Sequence, residues 1–279
     1  MALRLRYAEW VLLGYSGFVV VVGVLRVGRY PAAGWAVAAH LLVIALVGLF
    51  QHPSLGVTGR ALRHAAPIGL LLALYGALDL LSGFGAIATH DAALQRWEAL
   101  LFGEQVSRQW WQRYPSEGWS WVLHAAYFAY YVVVPFPVVY HLLDRQPGRA
   151  QNATFAILLG FTLCYAVFIV MPVAGPYYEF PRPAAWFTAN PPARAVYGLL
   201  SSGSSYGAAF PSSHVAAAWI SVAATAVGSR RWAAGLAIPA ALLTVGVVYC
   251  QMHYAVDAVA GIAVAGLAVV TAGRIARGS

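Results

Sequence analysis

The chain has 279 residues, 61% of them hydrophobic and 9% charged, where a soluble domain carries roughly 25% charged residues. With a mean hydropathy of +0.69, this excludes an ordinary soluble globular domain. The formal charge is +8 and all 17 basic residues are arginine, which excludes a lysine Schiff base or a phosphate-loop lysine and leaves arginine as the source of any fixed positive charge in a site. The arginines fall in pairs between apolar stretches, a pattern that matches the anionic surface of a bilayer and not nucleic acid.

A helix that crosses the hydrocarbon core needs about 20 apolar residues, fewer where interfacial side chains fill its ends. About eight stretches meet that need, which predicts an all-α polytopic membrane protein. The first, Trp10–Val27, follows Arg4 and Arg6. Because the rest of the chain is equally apolar, it reads as an uncleaved transmembrane helix and not a secretory leader. Trp35–Phe50 and Pro67–Phe84 come next. From Gly85 to Gly118 the residues Trp97, Leu100, Leu101, Phe102, Trp110 and Trp111 mix with Asp91, Arg96, Glu98, Glu104 and Arg108. That mixture predicts an amphipathic helix lying in the membrane interface.

Trp121–Leu143 and Thr154–Ala174 are the fourth and fifth spans, and a stretch rich in Pro, Gly, Ser and Tyr runs from Gly175 to Pro211. Loops of that length are usually functional. Ser212–Gly228, Trp232–Cys250 and Tyr254–Ala272 complete the set, with Trp10, Trp35, Trp121 and Trp232 placed as an interfacial belt. Cys164 and Cys250 lie in apolar runs, too few for a disulfide framework or a thiolate metal site. Eight spans put both termini on one side. That side collects ten arginines (4, 6, 60, 63, 145, 149, 230, 231, 274 and 277) against seven on the other. The bias makes the termini cytoplasmic and places the two long connections outside.

The chemistry concentrates late in the chain. Pro211-Ser212-Ser213-His214 precedes one helical run, and His253-Tyr254-Ala255-Val256-Asp257 opens another. Pro and Ser are helix-start signals, and the free N–H groups of a first turn form an anion site. His253 and Asp257 stand four apart, so on a helix the carboxylate reaches the imidazole. The 39-position separation of His214 and His253 allows one helix inward, a turn at Ser229-Arg230-Arg231 and one helix outward, returning both histidines to one membrane face. Two histidines and an aspartate beside a helix N-terminus and an arginine-bearing loop suit phosphoryl transfer, one imidazole attacking phosphorus while the other protonates the leaving oxygen.

The segments P-S-S-H and H-Y-A-V-D-A-V-A-G resemble the second and third motifs of the type 2 phosphatidic acid phosphatase (PAP2) superfamily, most closely its branch containing the inositol phosphorylceramide synthases. The likeness extends more weakly through Trp97 to Gly103, His124 to Tyr140 and Ala174 to Tyr178. It implies an N-terminal transmembrane hairpin over 1–64 and a catalytic membrane domain over 65–273 with a six-helix core. It further implies that His253 is the nucleophile of a phosphohistidine, Asp257 its orienting carboxylate and His214 the general acid, with no metal or cofactor. The family's usual first motif, lysine, six residues and Arg-Pro, survives here only as Arg182-Pro183, since Gly175 holds the lysine position. The arginine expected six before the nucleophile is Val247. These departures point to the synthase-like branch.

Arg182 is therefore the main candidate for a bidentate phosphate clamp, with Arg194 second. Ser212 and Ser213 add hydroxyl and backbone donors, and Tyr177, Tyr178 and Tyr249 are weaker candidates by position. The expected partners are the bilayer and a lipid phosphate or phospholipid, cleaved either by water or by a lipid alcohol in a phosphoinositol-transferase reaction. The competing class is a transporter or lipid-binding membrane protein with structural histidines, although the chain lacks the two related halves common in transporters.

Overall fold

The computed structural model describes residues 5–203 and 205–278, which leaves Arg4 of the arginine tally outside the described residues. Among them there is no strand, and one isolated bridge joins Val173 to Ala208. The chain begins with α1 (Tyr7–Arg26) and α2 (Ala33–Leu49), packed on each other. After a short 3-10 turn at Pro53–Leu55, α3 (Gly56–Gly69) leaves at a 74° bend from α2. Arg60, Arg63 and His64 make α3 more polar than the apolar α2. A buried Glu9 on α1 takes Arg63 of α3 at both oxygens, 2.6 and 2.7 Å, and caps its own helix by accepting the Arg6 N–H at 2.7 Å. The pair is bidentate and charge-assisted, so Arg63 ties two helices together.

Next come α4 (Leu71–Ser82), closed by Gly83 in the left-handed conformation, then α5 (Asp91–Phe102) and α6 (Val106–Arg113). The single amphipathic helix expected here is thus two short helices. The expected fourth span is likewise divided, into α7 (Glu117–Val133) and α8 (Phe136–Leu143), at a 41° bend. Pro135 stands at that break. It has no N–H to give the helix and its ring crowds the preceding turn. α9 (Pro147–Val170) is the most buried of the long helices.

The polar connection holds three helices, α10 (Pro176–Glu179), α11 (Ala185–Thr188) and α12 (Pro191–Gly203). Then α13 (Ser213–Ala226), α14 (Arg230–Tyr249) and α15 (Ala255–Gly278) end the chain. Each of α7, α13 and α14 starts with a serine cap, Ser116, Ser212 and Ser229, whose side chain accepts an N–H of the first turn.

By length and apolarity α1, α9, α14 and α15 can each cross a membrane alone, and the total rises to six if each bent pair is one span. α4 and α13 are apolar but shorter, at 12 and 14 residues. The eight stretches of the sequence therefore resolve into four to six candidate spans and two short helices. The implied domain boundary at residue 64 falls inside α3. The helix α13 sits at the centre, packed against α7, α8, α9, α14 and α15. Two glycines permit its close packing. A Cβ on Gly160 of α9 would strike Ile220, and one on Gly261 of α15 would lie 2.6 Å from the Ser212 carbonyl oxygen.

Candidate active site

The site forms where α13 begins and α15 begins. Pro211 lies one residue outside the helix it was expected to open, since Ser212 is the cap and Ser213 the first helical residue. His214 follows, and its ring centroid lies 6.1 Å from that of His253, in the turn between α14 and α15. The two motifs are also bonded through the backbone, because the Ser212 N–H donates to the Asp257 carbonyl at 2.9 Å. Gly261, which ends the second motif, allows that approach by lacking a side chain. The structure thus brings the two histidines together.

His253 Nδ1 lies 3.2 Å from Asp257 Oδ2, as the four-residue spacing anticipated, and the same oxygen accepts the Tyr254 N–H at 2.9 Å. Asp257 is fully buried and its Oδ1 has no partner. With Nδ1–H directed at the carboxylate, the lone pair is on Nε2. Burial pushes the His253 imidazole down, to about 4, against the opposing pull of the Ala209 backbone. The ring is therefore neutral near pH 7, the form that can attack an electrophile. His214 Nε2 lies 3.0 Å from the Tyr127 hydroxyl, while its Nδ1 is buried without a partner. The Tyr127 and Tyr130 rings flank His214 with centroids at 5.0 and 4.7 Å.

The remaining expected residues divide. The Arg182 guanidinium lies over the face of Tyr177, 3.8 Å from the ring centroid, and 5.9 Å from that of Tyr197. The chain beside it is held near His253, since Gln251 Nε2 donates to the Pro181 carbonyl at 3.3 Å. Tyr197 adds a bond to the Cys250 carbonyl at 3.3 Å. Ser212 spends its hydroxyl on the helix cap, and Ser213 is buried beside it. Tyr178 is exposed and packs edge-on against Tyr177 and Tyr206. Tyr249 donates its hydroxyl to the Tyr114 carbonyl at 2.7 Å and packs on Trp110 and Phe187. Arg194 is exposed on α12, and among the described residues no hydrogen bond or ion pair links its side chain to the histidines. Asp79 accepts the Ser205 hydroxyl at 3.2 Å and does not join the histidines. Among the described residues, no group of three or more His, Cys, Asp or Glu side chains is arranged to hold a metal ion.

Sequence reasoning missed Tyr127, Tyr130, Asp91 and Glu98. Tyr127 and Tyr130 are three apart, on one face of α7, and that spacing was the available signal. Asp91 and Glu98 on α5 were read as the polar side of an interfacial helix, yet both are buried. Glu98 accepts the Ala255 N–H at 2.8 Å and the Ser107 hydroxyl at 2.9 Å. Burial pushes its carboxyl above the usual range, and these donors pull it back.

No curated protein and no solved structure is significantly similar to the chain. The PAP2 superfamily profile does match, over residues 92–271, which include α5 from its second residue onward and both histidine motifs. These are 180 of the 279 residues, and on that match, with a histidine pair closed by a buried aspartate, the chain belongs to the PAP2 superfamily.

Proposed function

We propose that the protein is an integral-membrane lipid phosphatase that works through a phosphohistidine on His253. Superfamily membership supports phosphatase or phosphotransferase chemistry in general. The observation that carries the specific reading is the His253–Asp257 pair, with His214 a ring-to-ring 6.1 Å away. His253 Nε2 attacks phosphorus, the phosphorus–oxygen bond to the lipid breaks, and His214, which enters the step protonated, delivers that proton to the departing alkoxide and becomes neutral. Asp257 stabilises the cationic ring that forms. Water then attacks the phosphohistidine, its proton returning to His214, and phosphate leaves. The helix N-terminus at α13 and the guanidinium of Arg182 supply positive potential for the phosphoryl oxygens.

If a lipid alcohol takes the place of water, the same steps give a headgroup transferase of the inositol phosphorylceramide synthase kind. The arginine bias supports cytoplasmic termini and an extracytoplasmic site. The deciding experiment incubates purified protein with labelled phosphatidic acid, or with labelled phosphatidylinositol plus a lipid alcohol. Free phosphate from the first identifies the phosphatase, and a new phospholipid from the second the transferase. His253→Ala is expected to abolish both turnover and acid-labile labelling of the protein. His214→Ala should slow turnover by about 100- to 10,000-fold. Turnover at the normal rate in either variant, with the protein folded, would overturn the mechanism.

A further inference from the structure

Asp91 and Glu98 stand seven apart, which places both carboxyls on one face of α5. Asp91 is 3% exposed and Glu98 0%, and among the described residues neither forms a salt bridge with an arginine. Buried carboxylates without a cation are costly and are retained where hydrogen bonds satisfy them. Here the donors come from the two segments that frame the histidine site. Asp91 Oδ2 accepts the Ala174 N–H at 2.9 Å, and Oδ1 accepts the Gly175 N–H at 2.8 Å and the Tyr254 hydroxyl at 3.0 Å. Ala174 and Gly175 open the connection that carries Arg182, and Tyr254 directly follows His253. Gly175 has φ +92°, and a Cβ there would stand 2.9 Å from that of Ala209, so this turn has little freedom to find another register.

We propose that Asp91 is a positioning residue for His253, joining the residue after the nucleophile and the start of the Arg182 loop through one carboxylate. Tyr254 is thereby held at both ends, its N–H on Asp257 and its hydroxyl on Asp91, with Gln95 Nε2 donating to the same hydroxyl at 3.1 Å. Release of the hydroxyl end lets the Tyr254 backbone rotate and carries the adjacent imidazole away from Asp257. Glu98 assists from one helical face by accepting the Ala255 N–H in the first turn of α15. Asparagine cannot replace Asp91, because one of the two oxygens becomes an NH₂ group facing an N–H or hydroxyl donor.

This role rests on the phosphohistidine reading, and the test separates the two. Full-length protein in detergent is assayed on phosphatidic acid for kcat, KM and acid-labile phosphoenzyme, with the thermal midpoint measured for every variant. Asp91→Asn is expected to lower kcat about 10- to 100-fold with KM changed less than about threefold. Tyr254→Phe, which removes one hydroxyl from a folded core, should lower kcat about 3- to 10-fold. The double variant should be less impaired than the product of the two single losses, since both changes break the Asp91–Tyr254 bond. Glu104→Gln, in the exposed pair with Arg113, should leave kcat unchanged. Wild-type kcat in Tyr254→Phe, or additive losses in the double variant, would overturn the positioning role while an inactive His253→Ala left the phosphohistidine intact. Full activity in His253→Ala would instead remove the mechanism itself. If Asp91→Asn does not fold, Tyr254→Phe decides alone.

Discussion

What an imidazole can do depends on how its nitrogens are committed, and the two histidines commit theirs in different ways. His253 commits Nδ1 to a carboxylate, whereas His214 has Nε2 beside a phenol and Nδ1 unpartnered. A carboxylate stabilises the cationic ring and a phenol does not, which suits His253 to accumulating charge and His214 to giving a proton away. In the proposed mechanism Tyr127, bonded at Nε2, sets which nitrogen of His214 serves the substrate. Tyr127→Phe should lower kcat about 3- to 10-fold with KM nearly constant, measured with phosphatidic acid. An unchanged kcat would show that His214 is oriented by its ring contacts alone. The His253–Asp257 link was legible from spacing because both groups lie on one helical turn. The Tyr127 link was not, since the bond spans 87 residues and depends on how α7 meets α13.

At the scale of elements, the site depends on the closeness of α13 and α15. Gly261 is the hinge of that argument, for its missing side chain leaves room for the Ser212 carbonyl, and Ser212 in turn bonds the Asp257 backbone. Gly261→Ala is expected to cost about 1 to 3 kcal/mol by overpacking and to reduce turnover by moving His214 from His253. Thermal unfolding and turnover in detergent test both effects. Gly266→Ala, on the same helix with open space around the new Cβ, is the control that should be neutral. The number of helices was partly legible. Apolar length located α1, α9, α14 and α15, but periodicity carried no mark of the bend at Pro135 or of α5 and α6 as separate helices. The carboxylates of α5 misled because a charged residue among tryptophans looks the same whether it faces water or buried N–H groups.

For the whole molecule the open question of sidedness has a direct measurement. A single cysteine placed beside Arg182 should react with a membrane-impermeant maleimide from outside intact cells, while one beside Arg231 should not. The reverse pattern would invert the proposed topology and leave the chemistry standing. The native thiols of Cys164 and Cys250 are buried, so background labelling is low. One dimension of α13 bears on how substrate arrives. Its 14 residues rise about 21 Å at 1.5 Å each, well short of the ~30 Å hydrocarbon thickness. Because α13 is enclosed by α7, α8, α9, α14 and α15, that shortfall is made up by those helices and not by lipid, so selection of a substrate at the proposed site falls to the protein walls around His214 and not to the thickness of the bilayer.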